Sequence, residues 1–87
     1  MSLNPQTPKL FTLSSGTLTI TTARSVSVLA SGGNVSVTNV DSQAMTIGDG
    51  ISLDFQADSG NTLSTIVISP SGGTAYVTMI GGNGVIV

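Results

Sequence analysis

Along most of this chain Val, Ile and Leu alternate with Ser and Thr at every second position, and any folded state has to accommodate that period. Leu18 and Ile20 alternate with Thr17, Thr19 and Thr21, and Val26 and Val28 with Ser25 and Ser27. Val35 and Val37 alternate with Asn34, Ser36 and Thr38, and Ile51, Leu53 and Phe55 with Ser52, Asp54 and Gln56. Successive side chains of a strand point to opposite faces, so each run has one apolar and one hydroxyl-bearing face. Val, Ile and Thr suit a pleated, half-buried surface. No useful window places apolar residues at i, i+3, i+4 and i+7, and good surface helix formers are nearly absent. The chain reads as all-β.

Short turn signals separate the runs. They include Ser14-Ser15-Gly16, Ser31-Gly32-Gly33-Asn34 and Ser59-Gly60-Asn61. Pro70-Ser71-Gly72-Gly73 also reads as a turn, while Asp49-Gly50 and Gly81-Gly82-Asn83-Gly84 read as tight hairpins. Strands are expected near 9–13, 17–22, 25–30, 35–40, 44–47, 51–56, 63–69, 74–80 and 84–87. Eight or nine short strands in 87 residues make a small antiparallel β-sandwich, jelly-roll-like, or a barrel. Ser31 to Thr38 matches Ser71 to Thr78 at five of eight positions. Two similar half-domains would give this echo, and so would a composition dominated by Ser, Gly, Val and Thr.

The expected organisation is an extended N-terminal arm over residues 1–8 and a single domain over 9–87. Pro5 and Pro8 fix φ and remove two backbone donors, which keeps the arm out of a central strand. The arm is read as a contact to a neighbouring subunit. Val85, Ile86 and Val87 are apolar to the last residue, so this end is expected to dock in a sheet, its own or a neighbour's. On that reading Ile86→Asp costs about 2–4 kcal/mol if the site is buried.

Composition narrows the function. There is no Cys, His, Trp or Glu, and charged residues are 7% of the chain: Lys9, Arg24, Asp41, Asp49, Asp54 and Asp58. A disulfide scaffold, a Cys/His zinc site, His-based catalysis and a basic nucleic-acid surface are excluded. No run of about 18 apolar residues is present to cross a membrane as a helix. The first residues resemble no secretory signal. Serines lack a base to take their proton, so nucleophilic catalysis has no support. Asp49, Asp54 and Asp58 are spread over ten residues in no calcium-loop spacing and read as solvated turn and edge groups. Gly81-Gly82-Asn83-Gly84 lacks the Lys-Ser/Thr and helix of a phosphate loop. No enzyme activity and no cofactor are expected.

Three aromatics remain. Phe55 shares the apolar phase of its strand, and Phe11, beside Leu10 and Leu13, is also assigned to the core. Tyr76 is out of phase with Ala75 and Val77, so its ring faces outward. Edge strands of soluble sheets are normally guarded by charge, Pro or bulges. Here such guards are scarce, and the net charge of −2 gives little self-repulsion. A homo-oligomer is the expected state, with Pro5, Pro8, Tyr76, Val85, Ile86 and Val87 as candidate subunit contacts.

The segments Val37-Thr38-Asn39-Val40, Met45-Thr46-Ile47-Gly48-Asp49-Gly50-Ile51-Ser52-Leu53-Asp54-Phe55 and Gly60-Asn61-Thr62-Leu63-Ser64-Thr65-Ile66 carry a resemblance of pattern. Over residues 35–80 the chain resembles the small jelly-roll, cupin-like β-sandwich proteins of tailed bacteriophage virions. The resemblance implies a capsid-decoration, head-fibre or tail-associated protein, commonly trimeric, that partners itself and other virion proteins. It would be made in the host cytoplasm and reside in the virion, without nucleic acid or membrane as a partner. The metal-binding His and Glu residues of enzymatic cupins have no counterparts, so the implied role is structural. Two rival readings are a carbohydrate-binding or adhesin-like module, with Tyr76 and the turns near Asp49 forming its site, and a degenerate cupin-type enzyme.

Overall fold

Nine strands in two antiparallel sheets make up a β-sandwich in the computed structural model, which describes residues 6–87. They are β1 (Lys9–Leu13), β2 (Leu18–Thr21), β3 (Ser25–Ser31), β4 (Asn34–Thr38), β5 (Ala44–Ile47), β6 (Ser52–Gln56), β7 (Ile66–Ser71), β8 (Thr74–Ile80) and β9 (Asn83–Ile86). One sheet has the order β1-β8-β3-β6, the other β5-β4-β7-β2-β9. We call them the four-stranded and the five-stranded sheet.

The topology follows from folding one long hairpin over on itself. β4 pairs β5, β3 pairs β6, β2 pairs β7 and β1 pairs β8. Wrapping that ribbon adds the β3–β8 and β4–β7 pairs and closes a jelly roll, with β9 appended to β2. The pairing is unchanged when each of the first four strands is exchanged with the strand four places on. The echoed octets occupy equivalent positions under that exchange, each running through a Ser-Gly-Gly turn into β4 or β8.

Alternation decides what is buried. Val26, Val28 and Ala30 of β3 face Leu18 and Ile20 of β2, Val35 of β4 and Ile68 of β7 across the interior, all fully or almost fully buried. Phe11, Leu53, Phe55 and Leu63 flank this cluster, half-buried. The two phenylalanines therefore lie at the margin of the core, because β1 and β6 are edge strands with cover on one side. Leu10 is outside the core altogether at 76% exposure, since it is out of phase with Phe11 and Leu13.

Most Gly-rich turns do not make hairpins. Consecutive strands lie in different sheets except β4 and β5, so Asp49-Gly50 and Gly81-Gly82 carry the chain from one layer to the other. Gly50, Gly81 and Gly82 do have the positive φ expected there, at 81°, 73° and 74°. Among the described residues the one sequential hairpin, β4–β5, contains no Gly. Its loop is held by Asn39, whose Oδ1 accepts the backbone N–H groups of Asp41 and Gln43 at 2.9 and 3.0 Å. Its Nδ2 donates to Gln43 Oε1 at 2.9 Å, and Ser42 takes a φ of 62°.

Pro70 lies inside β7, not in a turn. Thr17 and Val87 exchange both backbone bonds, at 3.1 and 2.9 Å, which fixes the ladder phase. Counting from there, the backbone of residue 70 faces β2 at a point where β2 has already ended at Leu18. The N–H that proline lacks has no partner to lose.

Candidate functional site

With a fold of this kind, the candidate surfaces are sheet faces, sheet edges and the opening between the layers. The outer face of the four-stranded sheet is built by register. Thr12 opposes Tyr76, Tyr76 opposes Leu29, and Leu29 opposes Ser52, giving one row across all four strands. Tyr76 and Leu29 are 47% and 41% exposed and lie side by side, with Leu10 on the adjoining row. Tyr76 and Leu29, directly opposed, sit about 5 Å apart, and Leu10 is the diagonal neighbour of Tyr76 at about 7–8 Å, so the three share one face among hydroxyl-bearing residues.

The five-stranded sheet contains no charged residue in any of its strands. Its outer face presents a row of Ala44, Thr38, Val67, Thr19 and Val85. Lys9 and Asp54 are the charged residues within strands of the described chain, and both belong to the four-stranded sheet. Lys9 Nζ donates to Gly82 O at 2.8 Å, which ties β1 to the crossing between β8 and β9.

The remaining feature is a groove of about 420 Å³ where β5 and β6, the facing edges of the two sheets, part company. Val37, Met45, Leu53, Phe55, Leu63 and Ile66 line it, with the bonded pair Asn39 and Gln43 at its lip. None of its lining residues is charged. Both edges are open. Bonds from Ala30 N to Ile51 O (3.0 Å) and from Ala57 N to Arg24 O (2.9 Å) set the phase of β6. The backbone groups of Ser52, Asp54 and Gln56 therefore point away from β3, and no described strand pairs with them.

The residues singled out from the sequence do not converge. Pro5 lies outside the described residues, and Pro8 is exposed just ahead of β1. Tyr76 is on the outer face of the four-stranded sheet. Val85, Ile86 and Val87 run along the β9 edge of the other sheet, docked on β2 within the same chain. These contacts thus belong to opposite layers. Asp49 Oδ1 accepts the Gly32 N–H at 2.8 Å, bracing the crossing after β3. Asp49, Asp54 and Asp58 form no common cluster among the described residues. Two features went unread in the sequence. Leu29 directly follows Val28 and so breaks the alternation of β3 with an outward Leu, a signal that was legible. The groove depends on which edges face one another, and no local pattern carries that.

No protein-family model matches this chain, and no curated protein does. Among solved structures, the chain is similar to a domain of a protein of unknown function from Vibrio parahaemolyticus, with a TM-score of 0.60 and 19% sequence identity. The match covers 91% of this chain and 80% of that one. The likeness is one of fold, a small β-sandwich.

Proposed function

We propose that the chain is a non-enzymatic structural subunit of a phage particle, a capsid-decoration, head-fibre or tail-associated protein that works by self-association and docking. The observation that carries this reading is the distribution of charge. Five strands of one sheet hold no ionic side chain, and the other sheet presents Leu10, Leu29 and Tyr76 together on its outer face. Exposed apolar area of this kind, with the β5 and β9 edges of the uncharged sheet unguarded, favours association. The jelly roll and the pattern resemblance of residues 35–80 add the virion context, by analogy of fold and sequence style. Homo-oligomers close by symmetry, and a trimer is the form this reading takes.

Light scattering on the eluting protein tests the assembly. A species of three times the 8.7 kDa chain mass is expected at micromolar concentration. A single 8.7 kDa species persisting to millimolar concentration overturns it. Gold-labelled antibody against the chain, applied to particles from its source, is expected to mark the particle surface; unlabelled particles overturn the virion role.

Tyr76 favours a second reading, since an exposed ring bordered by Thr12 and Leu29 is a stacking platform for a sugar. Glycan-array binding that disappears in Tyr76→Ala would replace the first reading with this one.

A further inference from the structure

At the end of the four-stranded sheet away from the Ser-Gly-Gly turns, the outer face closes in a depression of about 340 Å³. Ile80 of β8, Ser25 of β3 and Gln56 of β6 stand opposite one another in register and form one row of its lining. They face outward because Met79, Val26 and Phe55 beside them turn to the core. Arg24 stands next to this row, its backbone pinned on both sides. Arg24 N donates to Ile80 O at 2.8 Å, and Arg24 O accepts from Ala57 N at 2.9 Å. Its stem lies over Gly81, where a Cβ would stand 3.2 Å from Arg24 Cγ and 3.6 Å from Cδ. The guanidinium therefore projects from a fixed base, and it keeps its charge at any ordinary pH. No acidic side chain lines the depression, and Asp58, between Ala57 and Ser59 in the chain, is not part of its wall. Lys9, the other cationic side chain, is committed to Gly82 O.

We propose that this depression binds a sugar acid, with its carboxylate on the Arg24 guanidinium and its hydroxyls on Gln6, Gln56, Ser25 and Ser59. The planar fork of an arginine takes a carboxylate through two parallel hydrogen bonds. One cation balances one negative charge, which favours a monocarboxylate over a phosphate dianion. Amide and hydroxyl side chains both donate and accept, as sugar hydroxyls do, so each can pair either way. Ile80 and Ala57 give the ring carbons a small apolar wall. The volume is at the small end of ligand sites, which run from about 300 to 1,000 Å³, and suits a single sugar ring. The assignment goes beyond the assembly reading. It uses no residue of the Tyr76 platform or of the β9 edge, so it holds or fails apart from both readings of function.

Titration of the full chain with sodium glucuronate, followed by amide nuclear magnetic resonance, provides the experiment. The signals of Ser25, Gln56 and Ser59 should move saturably at millimolar ligand, with Val28 unmoved. Methyl glucoside, which lacks the carboxylate, should bind at least about tenfold more weakly. Arg24→Lys keeps the charge but loses the fork, and should weaken binding several-fold. Arg24→Gln and Gln56→Glu should abolish it, while their melting temperatures stay near the wild-type value because both side chains are exposed. Immobile Ser25, Gln56 and Ser59 signals overturn the proposal, as does glucuronate binding that is unaltered in Arg24→Gln or Gln56→Glu. Methyl glucoside binding as tightly as glucuronate overturns it by removing the carboxylate from recognition. Inorganic phosphate binding as tightly at equal ionic strength also overturns it, by reducing the site to a general attraction for anions.

Discussion

Gly33 and Gly73 meet backbone to backbone: a Cβ on Gly33 would stand 2.5 Å from the carbonyl oxygen of Gly72, and one on Gly73 would stand 2.5 Å from the carbonyl carbon of Gly33. Each is the second glycine of its Ser-Gly-Gly turn, and the turns link β3 to β4 and β7 to β8. The contact brings the crossings of the two halves together at one end of the sandwich, and Gly73 N donates to Asn34 O there at 3.2 Å. Neither glycine has a positive φ, so the requirement is for space.

That distinction gives the first prediction. Gly33→Ala and Gly73→Ala should each lower stability by about 2–4 kcal/mol, because backbone must move to admit the methyl. Gly32→Ala is different: no atom lies within 4 Å, and its φ of 76° leaves a conformational cost of about 1–2 kcal/mol. Urea unfolding of the three variants measures the ordering. Gly33→Ala as mild as Gly32→Ala would mean the crossings are not in contact.

The echo at residues 31–38 and 71–78 is visible in the sequence, where a composition dominated by Ser, Gly, Val and Thr is its readier explanation. What settles its position is the close approach of two glycines forty residues apart, which composition alone does not encode. Strand existence was legible throughout, since alternation is local. Which strands pair was not. Asp49-Gly50 has the chemistry of a hairpin and instead joins two sheets, because the left-handed residue that closes a hairpin also turns a chain between layers. The true hairpin, after β4, is closed by the Asn39 side chain and contains no glycine. Pro70 reads as the start of a turn with Ser71-Gly72-Gly73 and instead lies within β7. A missing donor is harmful only if a partner lies opposite, and partners are a property of the fold.

Asn39 makes that hairpin the most exposed to a single polar substitution. Its side chain bonds twice to backbone N–H groups and once to Gln43, and Asn39 N donates to Gln43 O at 2.9 Å. Asn39→Ala should cost about 1–2 kcal/mol, as two donors return to solvent and the left-handed Ser42 loses its bracing. Amide hydrogen exchange should speed up at Asp41 and Gln43 while the protection of Val28 stays the same. Equal protection at Asp41 in both proteins would show that the loop holds without the Asn39 side chain.

The C-terminal strand separates what is docked from what is buried. Ile86 opposes Leu18 in register and β9 is hydrogen-bonded to β2, yet Ile86 is 50% exposed where Leu18 has no exposure. An edge strand covered on one side leaves its inward residue half in water. The sequence expectation of 2–4 kcal/mol for Ile86→Asp rested on burial, and the observed position reduces it to about 1 kcal/mol, since the carboxylate can turn to solvent. Ile68, fully buried in the central β7, has no such route. Ile68→Ala should cost about 2–5 kcal/mol by the cavity it leaves. Thermal unfolding of the two variants should therefore show a small shift for Ile86→Asp and a large one for Ile68→Ala. A cost at Ile86 matching that at Ile68 would mean that the β9 edge is covered in solution, as a neighbouring subunit seated on Val85 and Ile86 would cover it.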